Sequence, residues 1–342
     1  MTDATSPTPS PLLSLPGAVG GDGIDAPVVA HYGSFNGEQR TLATGAGFVD
    51  LSHRGVVRVS GPDRLTWLHS LTTQHLESLP PGTPTAALVL SPNGHVEHAM
   101  YAVDDGEAFT AHVEPGGAPP LVAWLDRMRF MMRVEVEDLT DELAVAWRPA
   151  SLSMVEERSQ RASGIQMDDA GKYDVFARCE LPAYAEAAGP ACGMWAFEAL
   201  RIARGEPRFG QDTDHRTIPN EVGWIPSAVH LDKGCYRGQE TVARVHTLGR
   251  PPRRLTLLHL DGSANRLPTR GVPVLYSRPD SEETREVGFV GSSARHHEYG
   301  PIALALLKRN VPIDAQLETD GLPAMQEIVV DPEVGLHVRP LR

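Results

Sequence analysis

Cysteine is scarce in this sequence, and the few cysteines present do not have the spacing of a disulfide framework or a metal site. Cys179, Cys192 and Cys235 are an odd number and contain no Cys-x-x-Cys pair. Disulfide scaffolds, structural zinc sites and iron–sulfur centres all need paired or clustered cysteines or histidines. The sequence therefore predicts no resident metal centre, and it predicts a reducing compartment, the cytoplasm.

Long apolar runs, a cationic start and nucleotide-binding glycine motifs are also missing. No run of about 18 apolar residues occurs, which predicts no membrane span. The first basic residue is Arg40, so the start lacks the positive charge of a secretory signal. Neither Gly-x-Gly-x-x-Gly after a strand nor a P-loop occurs. The net charge of −13 excludes general nucleic-acid binding.

What the chain does contain indicates a globular protein with an uneven charge distribution. Its 342 residues are 41% apolar and 22% charged, enough for two or three domains. Residues 1–25 are rich in Pro, Ser and Gly and predict a flexible tail. The segment from Arg201 to Arg254 holds ten Lys/Arg against six Asp/Glu. This basic segment indicates either a site for a small polyanion or a set of arginines paired with nearby carboxylates.

Apolar periodicity predicts both helices and strands. Strands are expected at Gly55–Ser60 and on either side of the hairpin signal Ser91-Pro92-Asn93-Gly94. Helical spacing is found in Arg64–Leu76, Pro120–Met132 and Met194–Arg204. The polar stretch 210–232 has no clear period, which is typical of a functional loop or of a simple surface excursion. After Pro252, short runs predict a small all-β module with strands at Leu255–Leu260, Val272–Tyr276, Val287–Ser292, Ile302–Leu307, Ala315–Thr319 and Gln326–Val330.

The strongest chemical signal is the segment Lys233–Glu240, in which Cys235 lies between two cations and two glycines. Neighbouring cations and helix N-termini favour the thiolate, so the pattern predicts a reactive thiol. Lysine occurs only at positions 172, 233 and 308, which makes a lysine two residues before Cys235 notable. A small cysteine buried in an ordinary turn is the structural alternative. A Cys–His nucleophilic pair is another, with a partner among His215, His230 and His246.

The sequence Lys-Gly-Cys-Tyr-x-Gly-Gln-Glu at 233–240, followed by Val242-Ala243-Arg244, resembles the YgfZ-type folate-binding proteins. These are relatives of the glycine-cleavage T-protein, the aminomethyltransferase. Other segments extend the resemblance over most of the chain: Gly47–Gly55, Arg201–Pro207 with Asp212, Pro219 and Glu221, and Val287–Ser293 with Pro301, Ile302 and Ala303.

The resemblance implies an α+β fold of two interlocked subdomains, one of them roughly residues 56–140, plus a small C-terminal β-barrel. The expected division is a tail at 1–25, a folate-binding region at 26–254 and a barrel domain at 255–342. Tetrahydrofolate or a derivative is the implied cofactor. The implied partners are iron–sulfur proteins or their assembly factors.

The resemblance also assigns roles within the cysteine motif. Cys235 would be the functional thiol, and Lys233 would favour its thiolate. Gly234 and Gly238 would shape the turn. The remaining motif positions are Tyr236, Gln239 and Glu240, the last two fixing the turn by hydrogen bonds.

A bound folate would need three kinds of contact. A buried carboxylate can read the pterin edge, and Glu221 is the candidate. Aromatic rings can pack on the pterin faces, and arginines can hold the anionic glutamate tail. The candidate rings are Tyr101, Trp195 and Trp224, and the candidate arginines are Arg201, Arg244 and Arg250.

One position departs from the aminomethyltransferases. Those enzymes carry an Asp near the folate nitrogens where this chain has His75, or Gln74 if the alignment shifts by one residue. Neither side chain is an anion that could stabilise a cationic centre. This difference favours an accessory protein for iron–sulfur cluster assembly or repair. The alternatives are a folate-dependent aminomethyltransferase or demethylase, and a non-catalytic module that docks an acidic partner.

Overall fold

The computed structural model describes residues 8–150, 171–225, 227–277 and 283–338. The α-helices are α1 Phe35–Ala43, α2 Arg64–Leu71, α3 Ala118–Met128, α4 Leu181–Ala187, α5 Met194–Ala203 and α6 Gln239–Leu248. Short 3-10 turns cover Pro11–Ser14, Gly23–Asp25, Arg178–Glu180, Pro219–Glu221 and Gly262–Ala264. The strands are β1 Val19–Gly20, β2 Val29–His31, β3 Phe48–Asp50, β4 Gly55–Ser60, β5 Pro84–Leu90, β6 Val96–Asp104, β7 Ala108–Val113, β8 Glu135–Asp138, β9 Leu143–Pro149, β10 Gly171–Ala177, β11 Ala191–Cys192, β12 Arg253–Leu260, β13 Pro273–Ser277, β14 Thr284–His296, β15 Gly300–Lys308, β16 Leu317–Thr319 and β17 Leu322–Ile328.

The first sheet has five antiparallel strands in the order β5-β6-β7-β4-β8. Alternating apolar residues such as Val57 and Phe109 bury one face against Trp67 of α2 and Leu121 of α3. The predicted hairpin between β5 and β6 is confirmed, with Gly94 in the left-handed conformation that its turn requires.

The second sheet, in the order β10-β9-β3-β11, is smaller and mixed, since β11 pairs with β3 in parallel. Helix α5 packs with it through Phe197, which meets the Trp147 ring of β9 edge-on at 5.3 Å. The helix predicted at Met194–Arg204 is thereby confirmed, to within one residue.

The N-terminal segment is ordered where it is described, so the predicted flexible tail is wrong for residues 8–25. Ser10 is buried and donates a hydrogen bond to the Asp50 carboxylate. Asp25 accepts hydrogen bonds from both terminal nitrogens of Arg208, at 2.9 Å each. Composition suggested disorder, but these buried polar partners hold the segment against strand β3 and the loop after α5.

The C-terminal part is a closed barrel with the order β12-β15-β14-β13-β16-β17. Its interior is filled by aliphatic side chains such as Leu258, Val290 and Leu307. The predicted all-β module is confirmed, and with the two sheets it gives the predicted α+β class. The boundary predicted at 254/255 stays a prediction.

Two predicted helices end earlier than their apolar pattern suggested. The run from Arg64 stops at Leu71, because the chain turns extended at Thr72. The run from Pro120 belongs to α3, which stops at Met128 because Phe130 adopts a left-handed φ of 44°. One central apolar cluster joins strand β5, helix α5, the segment 222–236 and the barrel, and so holds the parts of the chain together.

Candidate functional site

The loop that carries Cys235 is fixed at its C-terminal end by a contact between two glycines. Gly238 has φ 80°, and a Cβ built on it would lie 2.5 Å from the Ser91 carbonyl oxygen and 2.9 Å from the Cα of Gly94. A Cβ on Gly94 would in turn lie 2.8 Å from Cβ of Thr241 on α6. The motif therefore packs on the β5–β6 hairpin by close backbone contact that only glycine permits.

The N-terminal end of the loop is fixed by Lys233, which is 5% exposed. Its Nζ donates hydrogen bonds to the backbone oxygens of Thr72 at 2.5 Å, Gln74 at 3.1 Å and His69. His69 and Thr72 are at the C-terminal end of α2, where carbonyl groups lack helical partners and a cation is favoured. We call this arrangement the lysine clasp: Lys233 with its three carbonyl acceptors.

The lysine clasp changes the role expected of Lys233. An ammonium group has three N–H donors, and all three are directed to backbone oxygens rather than to the Cys235 sulfur. Burial lowers the pKa of Lys233 to about 8. Cys235 itself is exposed on the surface. Lys233 therefore holds the loop that presents the thiol.

Three histidines gather beside the lysine clasp. The rings of His69 and His75 are 4.8 Å apart, and those of His75 and His230 are 5.4 Å apart. Burial and the charge of Lys233 lower the pKa of His69. Over the described residues no group of three or more His, Cys, Asp or Glu is arranged to hold a metal ion. His75 thus lies next to the cysteine loop, as part of a cluster that the sequence pattern did not reveal.

The other motif residues fall into a buried and an exposed group. Tyr236 is buried, and its ring lies 5.3 Å from Nζ of Lys233. Gln239 contributes through its backbone N–H, which donates to the Tyr236 carbonyl at 3.2 Å. Glu240 and Arg237 face solvent, where Glu240 pairs with Arg244 and Arg237 with Glu97. Gly234 has open space where a side chain would be.

Tyr101 belongs to an aromatic cluster between the two sheets that also includes His112 and Tyr173. The Tyr101 and His112 rings are stacked with centroids 5.2 Å apart, and Tyr173 lies 4.4 Å from His112. The Arg54 guanidinium carbon is 5.4 Å from the Tyr173 ring centre. Both tyrosines keep part of their surface accessible. We call these four residues the aromatic cluster.

His112 has a donor without an acceptor in this cluster. Arg54 donates to His112 Nδ1 at 3.3 Å, so the imidazole proton is on Nε2. Burial, together with the charge of Arg54, holds the pKa of His112 well below its ordinary value, and the ring is neutral. Nε2 is buried and has no hydrogen-bond partner among the described residues. A buried donor of this kind matches an acceptor atom on a ligand. No sequence motif singled out His112 or Tyr173, and Arg54 lies in the resembling segment Gly47–Gly55 without an assigned role, because the meeting of these residues depends on how the two sheets pack.

Glu221 is buried, but its carboxylate already has partners. Arg253 donates to both of its oxygens, at 2.9 and 2.8 Å, and the Ile218 N–H donates to one at 3.1 Å. Two nearby polar atoms are buried without a described partner, Trp224 Nε1 and Asn220 Oδ1. This part of the 210–232 loop thus offers one donor and one acceptor, while the Glu221 charge is balanced by Arg253.

Most cations of the basic segment are paired with acids. Arg201 is buried and bonds to Asp212 at 2.9 Å and to Glu198. Arg208 bonds to Asp25 and Glu114. Of the ten cations, the seven in ion pairs are Arg201, Arg204, Arg208, Arg237, Arg244, Arg250 and Arg253. Of the two interpretations of this segment, paired arginines are therefore the one the structure supports.

Three proposed folate contacts lie on the surface. Trp195 is half exposed at the start of α5, where it packs with Phe35 and His31 at centroid distances of 5.4 and 4.8 Å. Arg244 is 64% exposed on α6. Arg250 is paired with Glu333 near the end of the described chain. The structure does not bring these three side chains into the aromatic cluster.

Comparison with known proteins agrees with this architecture. The family description "GCVT N-terminal domain" matches residues 18–152. The crystal structure of glycine cleavage system aminomethyltransferase T from Bartonella henselae has a TM-score of 0.73 with 18% identity, over 95% of this chain and 97% of that chain. The chain therefore has the aminomethyltransferase fold.

The sequence relatives are named either as transferases or as an iron–sulfur cluster assembly factor. An aminomethyltransferase of Rippkaea orientalis is 25% identical over 89% of this chain and 90% of its own length. The putative chloroplastic transferase At1g60990 of Arabidopsis thaliana is 26% identical over 66% of this chain, and the match spans 60% of that relative. A mitochondrial iron-sulfur cluster assembly factor IBA57 homolog of Mycosarcoma maydis is 26% identical over 60% of this chain and 55% of its own length. Together these matches show similarity to GcvT-like proteins, over residues 18–152 for the family description and over most of the chain for the fold. In the part of the chain that the structure describes, no helix is long and apolar enough to cross a membrane.

Proposed function

We propose that the chain is a cytoplasmic folate-binding protein of the YgfZ type that supports iron–sulfur cluster assembly or repair. The observation that carries this proposal is the way Cys235 is presented. The thiol is exposed on a loop that Lys233 and Gly238 fix at its two ends. A fixed, accessible sulfur suits a role in meeting another protein or its cluster. The IBA57 homolog among the relatives supports the same class of function.

The aromatic cluster supports a folate as the ligand of this protein. A pterin is a flat ring with donor and acceptor atoms along its edge. The rings of Tyr101 and Tyr173 suit its faces, and the unpaired His112 Nε2–H suits an acceptor on its edge. Tetrahydrofolate, when bound, supplies a carrier for a one-carbon unit. The chain's own residues bind and orient it, and the neutral His112 donates a hydrogen bond without adding charge.

The residue at position 75 separates this proposal from transferase chemistry. His75 packs between two other imidazoles beside the lysine clasp. Glu221, the buried carboxylate of the loop, is neutralised by Arg253. Neither group provides the free anion expected at a cationic aminomethyl centre. An accessory role that needs folate binding but no aminomethyl transfer fits these surroundings better.

Aminomethyl transfer is the second candidate function. It is favoured by the extent of similarity, because the Rippkaea orientalis aminomethyltransferase matches over 90% of its length. This candidate predicts that purified protein forms a methylene derivative of tetrahydrofolate from an aminomethylated carrier protein. The favoured proposal predicts no turnover with that substrate.

Two measurements test the favoured proposal. Tetrahydrofolate at concentrations far above its Kd should raise the melting temperature, because a ligand of the folded state stabilises it. Cys235→Ser should abolish rescue of iron–sulfur enzyme activity in cells that lack the protein, while the thermal shift with folate remains. Cys179→Ser is the matched control, since Cys179 is also an exposed free cysteine. Full rescue by Cys235→Ser would refute the thiol role.

A further inference from the structure

A surface turn after α3 holds two large apolar side chains in water. In this apolar turn, Arg129–Met132, the Met132 N–H donates to the Arg129 carbonyl at 3.0 Å. Phe130 and Met131 are its central residues, and they are 92% and 83% exposed. Phe130 also has a left-handed φ of 44°, a conformation that is unfavourable for a residue with a Cβ. Neither burial nor backbone preference accounts for these residues, so folding stability does not explain the turn.

The apolar turn is held in place on both sides. Before it, Trp67 Nε1 donates to the Met128 carbonyl at 3.2 Å. After it, the Arg133 side chain donates to the Asp63 carboxylate at 2.6 and 3.0 Å. Gly61 lets the chain approach closely here, since a Cβ on it would lie 2.3 Å from the Arg133 carbonyl oxygen. The two apolar side chains are therefore presented by a pre-organised backbone, which lowers the entropy lost on binding.

A groove of about 580 Å³ adjoins the last turn of α3. Its walls come from α3, from β6 and from the cysteine loop, with the lining residues Glu97, His98, Pro120, Trp124, Arg127, Met128 and Arg237. Arg237 is two residues from Cys235, so a segment lying in the groove reaches the cysteine motif. Methionine, aromatic residues and arginine are the types enriched at protein interfaces.

The charge that lines this groove is opposite in sign to that of the whole chain. Arg127 and Arg237 line it together with one carboxylate, Glu97, although the protein carries a net charge of −13. Arg129 and Arg237 face single carboxylates at 3.9 and 3.1 Å. Arg127 is exposed and makes no ion pair with any residue that the structure describes. An occupant with its own carboxylates would complement this rim.

We propose that the apolar turn and the adjoining groove form the docking surface for an acidic, partly apolar segment of a partner protein, which is thereby brought to Cys235. This proposal rests on the proposed function, because it supplies the route by which a client protein meets the thiol. Phe130 and Met131 would be the apolar anchors, and Arg127 would pair with a carboxylate of the partner.

A cell-based experiment tests the apolar anchor with a matched control. Met131→Asp is compared with Met325→Asp, which alters a methionine that is 71% exposed on the barrel. In cells lacking the protein, Met131→Asp should restore less than about a tenth of the iron–sulfur enzyme activity that the unaltered protein restores. Met325→Asp should restore all of it. Equal rescue by the two variants, each shown to melt like the unaltered protein, overturns the docking surface.

Charge variants test the acidic character of the partner. Arg127→Glu should fail to rescue, and Arg127→Lys should succeed because it keeps the positive charge. Arg40→Glu is the control, since Arg40 is exposed and pairs with no described carboxylate. Rescue by Arg127→Glu refutes the charge argument. If gel filtration shows a dimer that Met131→Asp converts to a monomer, the occupant is a second copy and the proposal is wrong.

A binding measurement keeps failure of the docking surface distinct from failure of the proposed function. If the unaltered protein rescues nothing, the proposed function fails, and a fluorescent peptide of Leu and Glu at helical spacing then decides the docking surface. Its anisotropy should report binding that Met131→Asp weakens about tenfold and Met325→Asp leaves unchanged. A Leu/Lys peptide of the same length should bind more weakly. Equal binding of the two peptides, or equal effects of the two variants, overturns the proposal.

Discussion

The loop that carries Cys235 and the aromatic cluster around His112 differ in how their polar groups are satisfied. In the loop, the three N–H groups of Lys233 each meet a carbonyl, and Gly238 touches the hairpin backbone. In the aromatic cluster, His112 Nε2 is buried with no described acceptor. Polar groups that are all hydrogen-bonded within the protein need no ligand, whereas a buried donor without an acceptor indicates a place where a ligand binds. The cysteine loop therefore presents the Cys235 thiol at the surface, and the aromatic cluster offers the His112 Nε2–H to a ligand.

The largest effect is expected when a side chain is placed where Gly238 contacts the β5–β6 hairpin. Gly238→Val should lower the free energy of unfolding by about 3 kcal/mol, because the position combines a left-handed φ with a backbone oxygen only 2.5 Å from the new Cβ. Gly234→Ala is the control, since open space surrounds Gly234. Urea titration measures both. Similar losses for the two variants would show that the contact with Gly94 is not what fixes the loop.

Removing the lysine clasp should have the next largest effect. Lys233→Met leaves three carbonyls without donors and should cost about 2 kcal/mol, with faster amide exchange in residues 69–76 and 230–238. Lys308→Met is the control, because the single hydrogen bond of Lys308 to the Glu286 carbonyl is exposed.

The same variant distinguishes holding the loop from activating the thiol. If Lys233 only holds the loop, the pH profile of Cys235 alkylation keeps its midpoint in Lys233→Met. A shift of that midpoint to higher pH would mean that Lys233 acts on the sulfur directly, as the sequence motif suggested.

Acid should weaken the buried ion network around Arg208. Hydrogen bonds and charges from His53 and Arg208 hold the pKa of Asp25 below its ordinary value despite burial, and Arg208 and Arg54 lower that of Glu114. For carboxyls with depressed pKa values in the folded protein, the added stability is present above the unfolded values near 4 and is lost as the pH falls below them. Urea midpoints between pH 7 and about pH 3 should therefore fall by less in Asp25→Asn than in the unaltered protein. Equal decreases of the urea midpoint in the two proteins would show that Asp25 does not contribute to the acid sensitivity.

The smallest expected effect tests the unsatisfied donor. His112→Phe removes the Nε2 donor and also the Nδ1 acceptor of buried Arg54, so the free energy of unfolding should fall by about 1 kcal/mol while tetrahydrofolate affinity falls about tenfold. Calorimetric titration measures the affinity. His98→Phe is the control, a histidine on β6 whose pKa burial lowers to about 4 and which lines the groove instead. Unchanged folate affinity in His112→Phe would remove the argument for a ligand at the aromatic cluster.

Local patterns in the sequence predicted the local structure well. The Asn93-Gly94 hairpin, helix α5 and the barrel strands each follow from turn residues and apolar period within a short window. The motif around Cys235 was also visible, because its glycines and cations are adjacent in sequence. What could not be predicted depends on distant residues: the clasp joins positions more than 150 apart, as in the Lys233–Thr72 bond with a separation of 161.

Composition misled in one place and left a choice open in another, for the same reason. The Pro-, Ser- and Gly-rich start suggested a tail, yet Ser10 and Asp25 find buried partners on distant strands and loops. The basic segment allowed either a polyanion site or paired arginines, and the pairing depends in part on acids such as Asp25 and Glu114 from outside the segment. A count of charges within a window cannot include partners that only the fold supplies.

The pairing of Asp25 with Arg208 also sets an order of events during synthesis. The two residues are 183 positions apart, so the N-terminal segment is made long before its buried partner exists. At a translation rate of about 5 to 20 residues per second, that interval is roughly 10 to 40 seconds. During this time Ser10 and Asp25 can already meet Asp50 and His53, but Asp25 lacks its arginine partner until the loop after α5 has been made.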